Sequence, residues 1–301
     1  MAVNNSLQKA KSNQRLGLTA YLSREDVKGQ INKAIGGENS QRFISAIISA
    51  TTTNPMLQEC TNPSILSGAL LGEALKLSPS PQLGHYYLVP FNVKTGNKDE
   101  TGKDIYIKEA QFQLGYKGYI QLAIRSGQYK KLNVMAIKEG ELEYFDPLNE
   151  DIKINLMIDD WDAREELPTI GYYAFFELVN GFKKAIYWSK GQMESHAIKY
   201  SPGYKKDREK GWSYTFWSKD FDGMAYKTML RQLISKWGIM SIEMQTAFEG
   251  DMAVINDDGS RTYVEVEDNI IDVESEPETV VESPESSANE VPDAKSALFG
   301  N

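Results

Sequence analysis

The chain has 301 residues, 41% of them hydrophobic, which is enough for one large domain or two small ones with a real core. Thirty-three Lys and Arg stand against 42 Asp and Glu, a net charge of −9, and the single cysteine, Cys60, excludes an internal disulfide and a zinc site built from cysteines. No apolar run approaches the ~20 residues of a membrane span, and segment 1–17 lacks the apolar core of a secretory leader, so a reducing cytosol is the expected compartment.

Along the chain, residues 1–39 are polar with few large apolar side chains and read as a flexible arm holding one short helix, a candidate contact to a neighbouring subunit. Phe43, Ile44, Ile47 and Ile48 recur at helical spacing between Ser40 and Thr52. Asn62–Pro63–Ser64 opens a second helix with Ile65, Leu66, Ala69, Leu70 and Ala74 as its buried stripe, since proline at a helix start loses no needed N–H. His85–Phe91 reads as a strand, residues 93–103 as a polar mobile turn, and Ile105–Leu114 as a strand whose alternation breaks near Lys108 and Glu109, as a bulge would break it. Gly115–Gly118 turns into a short helix, Tyr119–Ser126, stopped by Gly127.

Further strands are expected at 130–138, 141–146 and 151–157, with a hairpin of 169–179 and 182–188 joined at Asn180–Gly181. Ser189 is placed to cap a helix reaching Tyr200, residues 201–213 read as a basic loop, and a longer helix follows from about 218 to 237. On it Tyr226, Leu230, Leu233, Ile234 and Trp237 share an apolar stripe, and Lys227 and Arg231 lie four apart on another face. The core is expected over 40–250. Residues 251–301 read as an acidic tail whose composition, from 270 onward, cannot offset the entropy of ordering.

Charge is segregated. From Glu249 to the end there are fifteen acids against Arg261 and Lys295 only, so the preceding residues carry a net positive charge. Between Lys183 and Trp237 twelve Lys and Arg face five acids, with eleven aromatics interleaved. Cations neutralise phosphates and ring faces stack on unpaired bases, so this stretch suggests a single-stranded nucleic-acid surface. A solvated basic face over a core rich in Tyr and Trp is the competing reading.

Enzymatic signatures are weak. Gly96 to Gly102–Lys103–Asp104 has five intervening residues where a phosphate-binding loop has four, and an acid replaces the hydroxyl that would hold magnesium. His85 and His196 show neither ligand spacing nor a partner nucleophile, and Asp159, Asp160 and Asp162 around Trp161 read as an acidic turn. Neither a catalytic residue, a metal site nor a cofactor is expected. A metal-dependent nuclease using those three acids is retained as an alternative, as is an RNA chaperone.

Three segments together resemble the RecT family of phage single-strand annealing proteins: Leu83–Phe91 after Leu75–Lys76–Leu77, Gln111–Gln128, and Trp217–Leu233 with its Met-Ala-x-Lys-Thr-x-x-Arg pattern. The resemblance covers roughly 40–250. It implies an α+β fold with a small antiparallel sheet braced by helices, and a protein that coats single-stranded DNA and anneals complementary strands without ATP. It further implies homo-oligomeric rings or helical filaments, an annealed duplex intermediate, and a phage or prophage origin in a bacterial cytosol. An exonuclease or a host single-strand binding protein is the expected partner.

Annealing needs cations in excess of what one strand requires, because the second strand is otherwise repelled. One candidate set is Tyr116 and Lys117 in the glycine turn, where backbone could approach DNA backbone, with Arg125, Lys130 and Lys131. The other is Lys205, Lys206, Arg208 and Lys210 in the basic loop, with Lys227 and Arg231 on the helix. For stacking, Tyr204 and Trp212 are better placed than Trp237, while Trp188 and Trp217 read as core.

Overall fold

The protein, seen in a computed structural model, is described for residues 17–256 and 260–263, the side chains of the last two excepted. Helix α1 (Leu18–Leu22) and helix α2 (Glu25–Ile35) come first, and Leu22, Val27 and Ile31 enter the core. This corrects the expected arm over 18–35. Three apolar side chains at four- to five-residue intervals make a thin stripe that polar neighbours mask in the sequence, yet it suffices against the larger helix α3 (Gly37–Thr53). Helix α4 (Asn62–Ala74) follows a 3-10 turn and starts with Pro63 in its first turn, as expected.

Strands β1 (Tyr86–Lys98) and β2 (Asp104–Leu114) form one long antiparallel hairpin. The expected mobile turn shrinks to 99–103, and the irregularity falls between Lys94 and Lys98, not at Lys108 and Glu109. The sequence alternation breaks there for another reason. The inner part of β2, from Ala110 to Leu114, is buried on both faces, whereas the outer part is half-buried with Ile105 and Tyr106 exposed, so no single phase runs its length.

Helix α5 (Tyr116–Ser126) ends at Gly127 in the left-handed region. Strand β3 (Tyr129–Lys138), hairpin β4 (Leu142–Asp146) and β5 (Asp151–Ile154), short helix α6 (Trp161–Glu166), and hairpin β6 (Thr169–Leu178) and β7 (Lys183–Ser189) follow. Helix α7 (Lys190–Tyr200) opens with a complete capping box, Ser189 accepting from the Gln192 N–H and Gln192 accepting from the Ser189 N–H. Residues 202–210, expected as loop, form helix α8 (Pro202–Lys210). The expected helix from 218 to 237 is two, α9 (Phe216–Lys219) and α10 (Phe221–Trp237), with Asp220 capping the second by accepting from the Gly223 N–H. Helix α11 (Ile242–Gly250) and strands β8 (Ala253–Ile255) and β9 (Arg261–Tyr263) complete the described chain.

Two antiparallel sheets result, ordered β1-β2-β8-β9 and β3-β6-β7, beside the β4-β5 hairpin. The class is α+β, as expected. The first sheet is braced by α2, α3, α4, α5 and α11, the second by α7, α8, α9 and α10. Helix α10 serves both interiors. Leu230 and Ile234 enter the first, and Ala225, Met229 and Leu233 enter the second. Because β8 pairs with β2 and its three residues are buried, the core extends past residue 250, beyond the expected boundary. The expected disorder over 270–301 lies outside the described residues. Among the described residues no helix is long and apolar enough to cross a membrane.

Candidate nucleic-acid interface

Packing divides the thirteen sequence candidates into buried and exposed groups. Lys227 is buried, and its ammonium donates to Asp251 Oδ1 at 2.9 Å. Arg231 donates to Asp251 Oδ2 at 2.7 Å and to the Tyr119 hydroxyl at 3.2 Å, while Tyr119 itself donates to Asp251 Oδ2 at 3.0 Å and the Leu114 N–H to Oδ1 at 2.9 Å. One carboxylate thus gathers donors from β2, α5 and α10. Burial pushes Lys227 below the ordinary lysine range, with Asp251 opposing the shift. Burial would lower Arg231 too, but Tyr119 and Asp251 outweigh it and hold the guanidinium firmly charged. Of the two cations expected at phosphates, Lys227 is taken up entirely by this buried clamp, and Arg231 joins it through one nitrogen while its side chain stays 38% exposed. Tyr204 is also inside, packed against Trp217 and Phe221, so it offers no ring to a base.

Glycines 115 and 118 allow a close approach, but to the chain itself. A β-carbon on Gly118 would overlap the His85 carbonyl oxygen, and one on Gly115 would overlap that of Gly84. The N-terminus of α5 therefore sits hard against the start of β1, with Lys117 exposed at the rim and Tyr116 half-buried against Tyr226. His85 beside it is lowered by burial, then by Arg125 and Lys117.

Arg125 turns back to donate to the Leu75 carbonyl at 2.8 Å and the Lys76 carbonyl at 3.3 Å, closing the C-terminus of α4. Lys130 and Lys131 are adjacent in β3, yet both reach Glu177, Lys130 at 2.7 Å and Lys131 at 3.8 Å, with Lys183 also at 3.8 Å. An irregularity in pairing between Tyr129 and Lys131 turns both side chains to one side. Hydrogen bonding from Lys130 leads the lowering of the Glu177 pKa, against a smaller effect of burial. This group lies beyond the C-terminal end of α5, which Lys117 precedes by about 14 Å of helix.

The basic helix α8 is amphipathic in an unusual sense. Tyr204 and Asp207, three apart, point inward, while Lys205, Lys206, Arg208 and Lys210 are exposed. Arg208 pairs with Glu194 at 2.9 Å. Among the described residues no carboxylate lies within ion-pair distance of Lys117, Lys205, Lys206 or Lys210.

After Gly211, left-handed at φ +67°, residues 212–215 run without regular structure across α8. Asp207, 3% exposed, holds them: its Oδ2 accepts from the Tyr214 N–H at 3.0 Å, the Thr215 N–H at 2.8 Å, the Thr215 hydroxyl at 2.8 Å and the Ser218 hydroxyl at 2.6 Å. Burial alone would raise this carboxyl, but those bonds hold it down at about 2. Trp212 is exposed, with the Lys210 ammonium 5.8 Å from its ring centre. Phe216 meets Tyr87 at 5.7 Å, and the Tyr87 hydroxyl and the Lys117 stem both flank Gly84, so the segment after α8 adjoins the Lys117 rim.

Sequence reasoning missed Tyr87, Tyr214 and Phe216 on this face. Alternation of aromatics at 212, 214 and 216 was the available signal. Of the acids around Trp161, Asp160 caps α6 by accepting from the Ala163 N–H, and among the described residues no group of three His, Cys, Asp or Glu is placed to hold a metal ion.

A family model described as the RecT family matches residues 41–270. The chain is 38% identical over 297 residues to the Bacillus subtilis (strain 168) protein named Uncharacterized protein YqaK, covering 96% of this chain and 92% of that one. It is 29% identical over 234 residues to Protein RecT of Escherichia coli (strain K12), covering 77% of this chain and 79% of that one.

Proposed function

This chain belongs to the RecT family, and from that premise we propose that it binds single-stranded DNA and anneals complementary strands in recombination, without nucleotide hydrolysis and as an assembly of several copies. The observation that carries the reading is the face on which Lys117, Lys205, Lys206 and Lys210 stand with no carboxylate partner among the described residues. Several other surface cations are spent on ion pairs, as Lys130 is with Glu177 and Lys153 with Glu143. A cluster left unpaired has its counterions in solution, and a phosphate chain gains entropy by releasing them.

Such contacts position a backbone without reading sequence, which suits a protein that must accept any strand. Pairing itself supplies the driving force, since stacking releases about 1.4 kcal/mol per base-pair step. An exonuclease that exposes single strands is the partner this chemistry requires upstream.

The test follows pairing of two labelled complementary oligonucleotides with the full chain in the absence of nucleotide, with and without magnesium. Accelerated pairing of intact strands supports the proposal. No acceleration at any protein concentration would overturn it, shortened strands would indicate a nuclease, and selective action on RNA strands a chaperone.

A further inference from the structure

We propose that Trp212, Tyr214 and Phe216 form a stacking site for unpaired bases, held in place by Asp207. The inference rests on the DNA reading above and assigns the part of the face that grips bases. Trp212 and Tyr214 occupy alternate positions of the irregular segment and their rings meet edge to face at 5.4 Å, while Phe216 opens α9 between half-buried Thr215 and buried Trp217. Their exposures are 49%, 72% and 40%. Three neighbouring aromatics so bare are not there for the core, which takes Tyr204 and Trp217 from the same stretch.

Two further observations point to bases as the ligand. The rings are bordered by the cations without carboxylate partners, Lys205, Lys206 and Lys210 on α8 and Lys117 beyond Tyr87. Phosphates would lie on the lysines while bases turn toward the rings, the arrangement by which single strands are held without sequence preference. The segment is also pre-set, not draped. Four bonds from its backbone and hydroxyls converge on one carboxylate oxygen, so little ordering entropy remains to be lost on binding. Asp207 is the positioning residue. A buried acid beneath a phosphate-binding face is electrostatically unfavourable for DNA, which makes its presence a sign of what it holds.

A site that stacks bases separates two contributions that phosphate binding alone cannot. Full-length protein is titrated with oligo(dT) and with an abasic strand of the same length and charge. The native chain is expected to prefer oligo(dT), and Tyr214→Ala and Trp212→Ala should each cut that preference at least about fivefold, the low end of base–ring stacking, while abasic binding stays constant. Asp207→Ala gives the sharper sign. It raises the charge of the face by one, so electrostatics alone predicts tighter binding of both strands. Positioning predicts that the preference for bases collapses while abasic binding holds or rises.

An unchanged ratio in Tyr214→Ala and Trp212→Ala would overturn the stacking site, as would a ratio unchanged with an altered oligomer size, which would reassign the rings to contact between copies. Should Asp207→Ala lose its cooperative melt, Tyr214→Ala keeps the test open, since that side chain is mostly in solvent. A native chain that binds neither strand would remove the DNA reading itself. One that pairs complementary strands yet binds abasic and oligo(dT) strands equally would remove only this inference.

Discussion

Lys227 sets its ammonium 2.9 Å from Asp251 Oδ1 across 24 residues of chain, and the two side chains are all but sealed from solvent. With Arg231 on the other oxygen, one carboxylate answers two cations. Removing it leaves the Lys227 ammonium uncompensated in the interior, a change worth about 3–5 kcal/mol, and strips half-exposed Arg231 of its partner. Asp251→Ala is therefore expected to lose most of its stability in a denaturant melt. Lys227→Met, which fills a similar volume without charge, should be milder, because Asp251 keeps the Arg231 guanidinium, the Tyr119 hydroxyl and the Leu114 N–H. In folded Lys227→Met the salt dependence of single-strand binding should be unchanged. A fall of about 0.7 in the logarithmic slope would instead mean that Lys227 meets a phosphate.

The exposed lysines behave in the opposite way. Lys205→Ala, Lys206→Ala and Lys210→Ala combined should leave the melt within about 0.5 kcal/mol per substitution, since no carboxylate partner is lost. Single-strand affinity should fall, with the salt slope smaller by about 0.7 for each phosphate contact removed. Equal slopes for native and triple variant would take α8 out of the interface.

Gly118 tests the close approach of α5 to β1. A β-carbon there meets the His85 carbonyl and comes within 2.8 Å of Leu114 Cδ1. Since one obstacle is backbone, relief requires moving the helix, and Gly118→Ala should cost about 1–3 kcal/mol or more. A neutral result in thermal and chemical melts would show that the turn has room to adjust.

Asp207 predicts a pH dependence. Its folded value of about 2 lies below the ordinary aspartate value of 3.8, so the ionised form favours the folded state. That contribution is complete above about pH 4 and is lost as pH falls toward 2. Tryptophan emission, with Trp212 on the segment that Asp207 holds, should change over this window in the native chain. Asp207→Asn keeps an acceptor but cannot titrate, so the step should vanish from its profile.

Features set by neighbouring residues were legible before the fold was seen. The capping box at Ser189 and Gln192, the Asn180–Gly181 hairpin and the Gly127 stop of α5 all follow from contacts within a few residues. The role of Lys227 and Arg231 did not. Their spacing marked one helix face correctly, but the partner is an acid 24 and 20 residues further on, in a region whose composition pointed to a tail. Helix α8 was hidden for a related reason. It buries only Tyr204 and Asp207, too few to print a stripe, and one of them is charged. The aromatic row at 212, 214 and 216 could be seen as a pattern, but which rings face out is decided by Asp207 beneath them.

Helix α10 has a consequence for how the chain is made. A nascent chain that has emerged only as far as Ser189 contains seven of the nine described strands, but the helix that walls both interiors is still to come. Asp251, the acceptor for Lys227, Arg231, Tyr119 and the Leu114 amide, follows later still. Synthesis proceeds from the N-terminus at about 5–20 residues per second. From the appearance of β7 to that of Asp251, at least three seconds pass in which the β3-β6-β7 sheet lacks the complete cover of α7 to α10 and the clamp on Asp251 is unmade. Closure of the second interior thus waits until Asp251 has been made, and that interval is when a chaperone would find the chain.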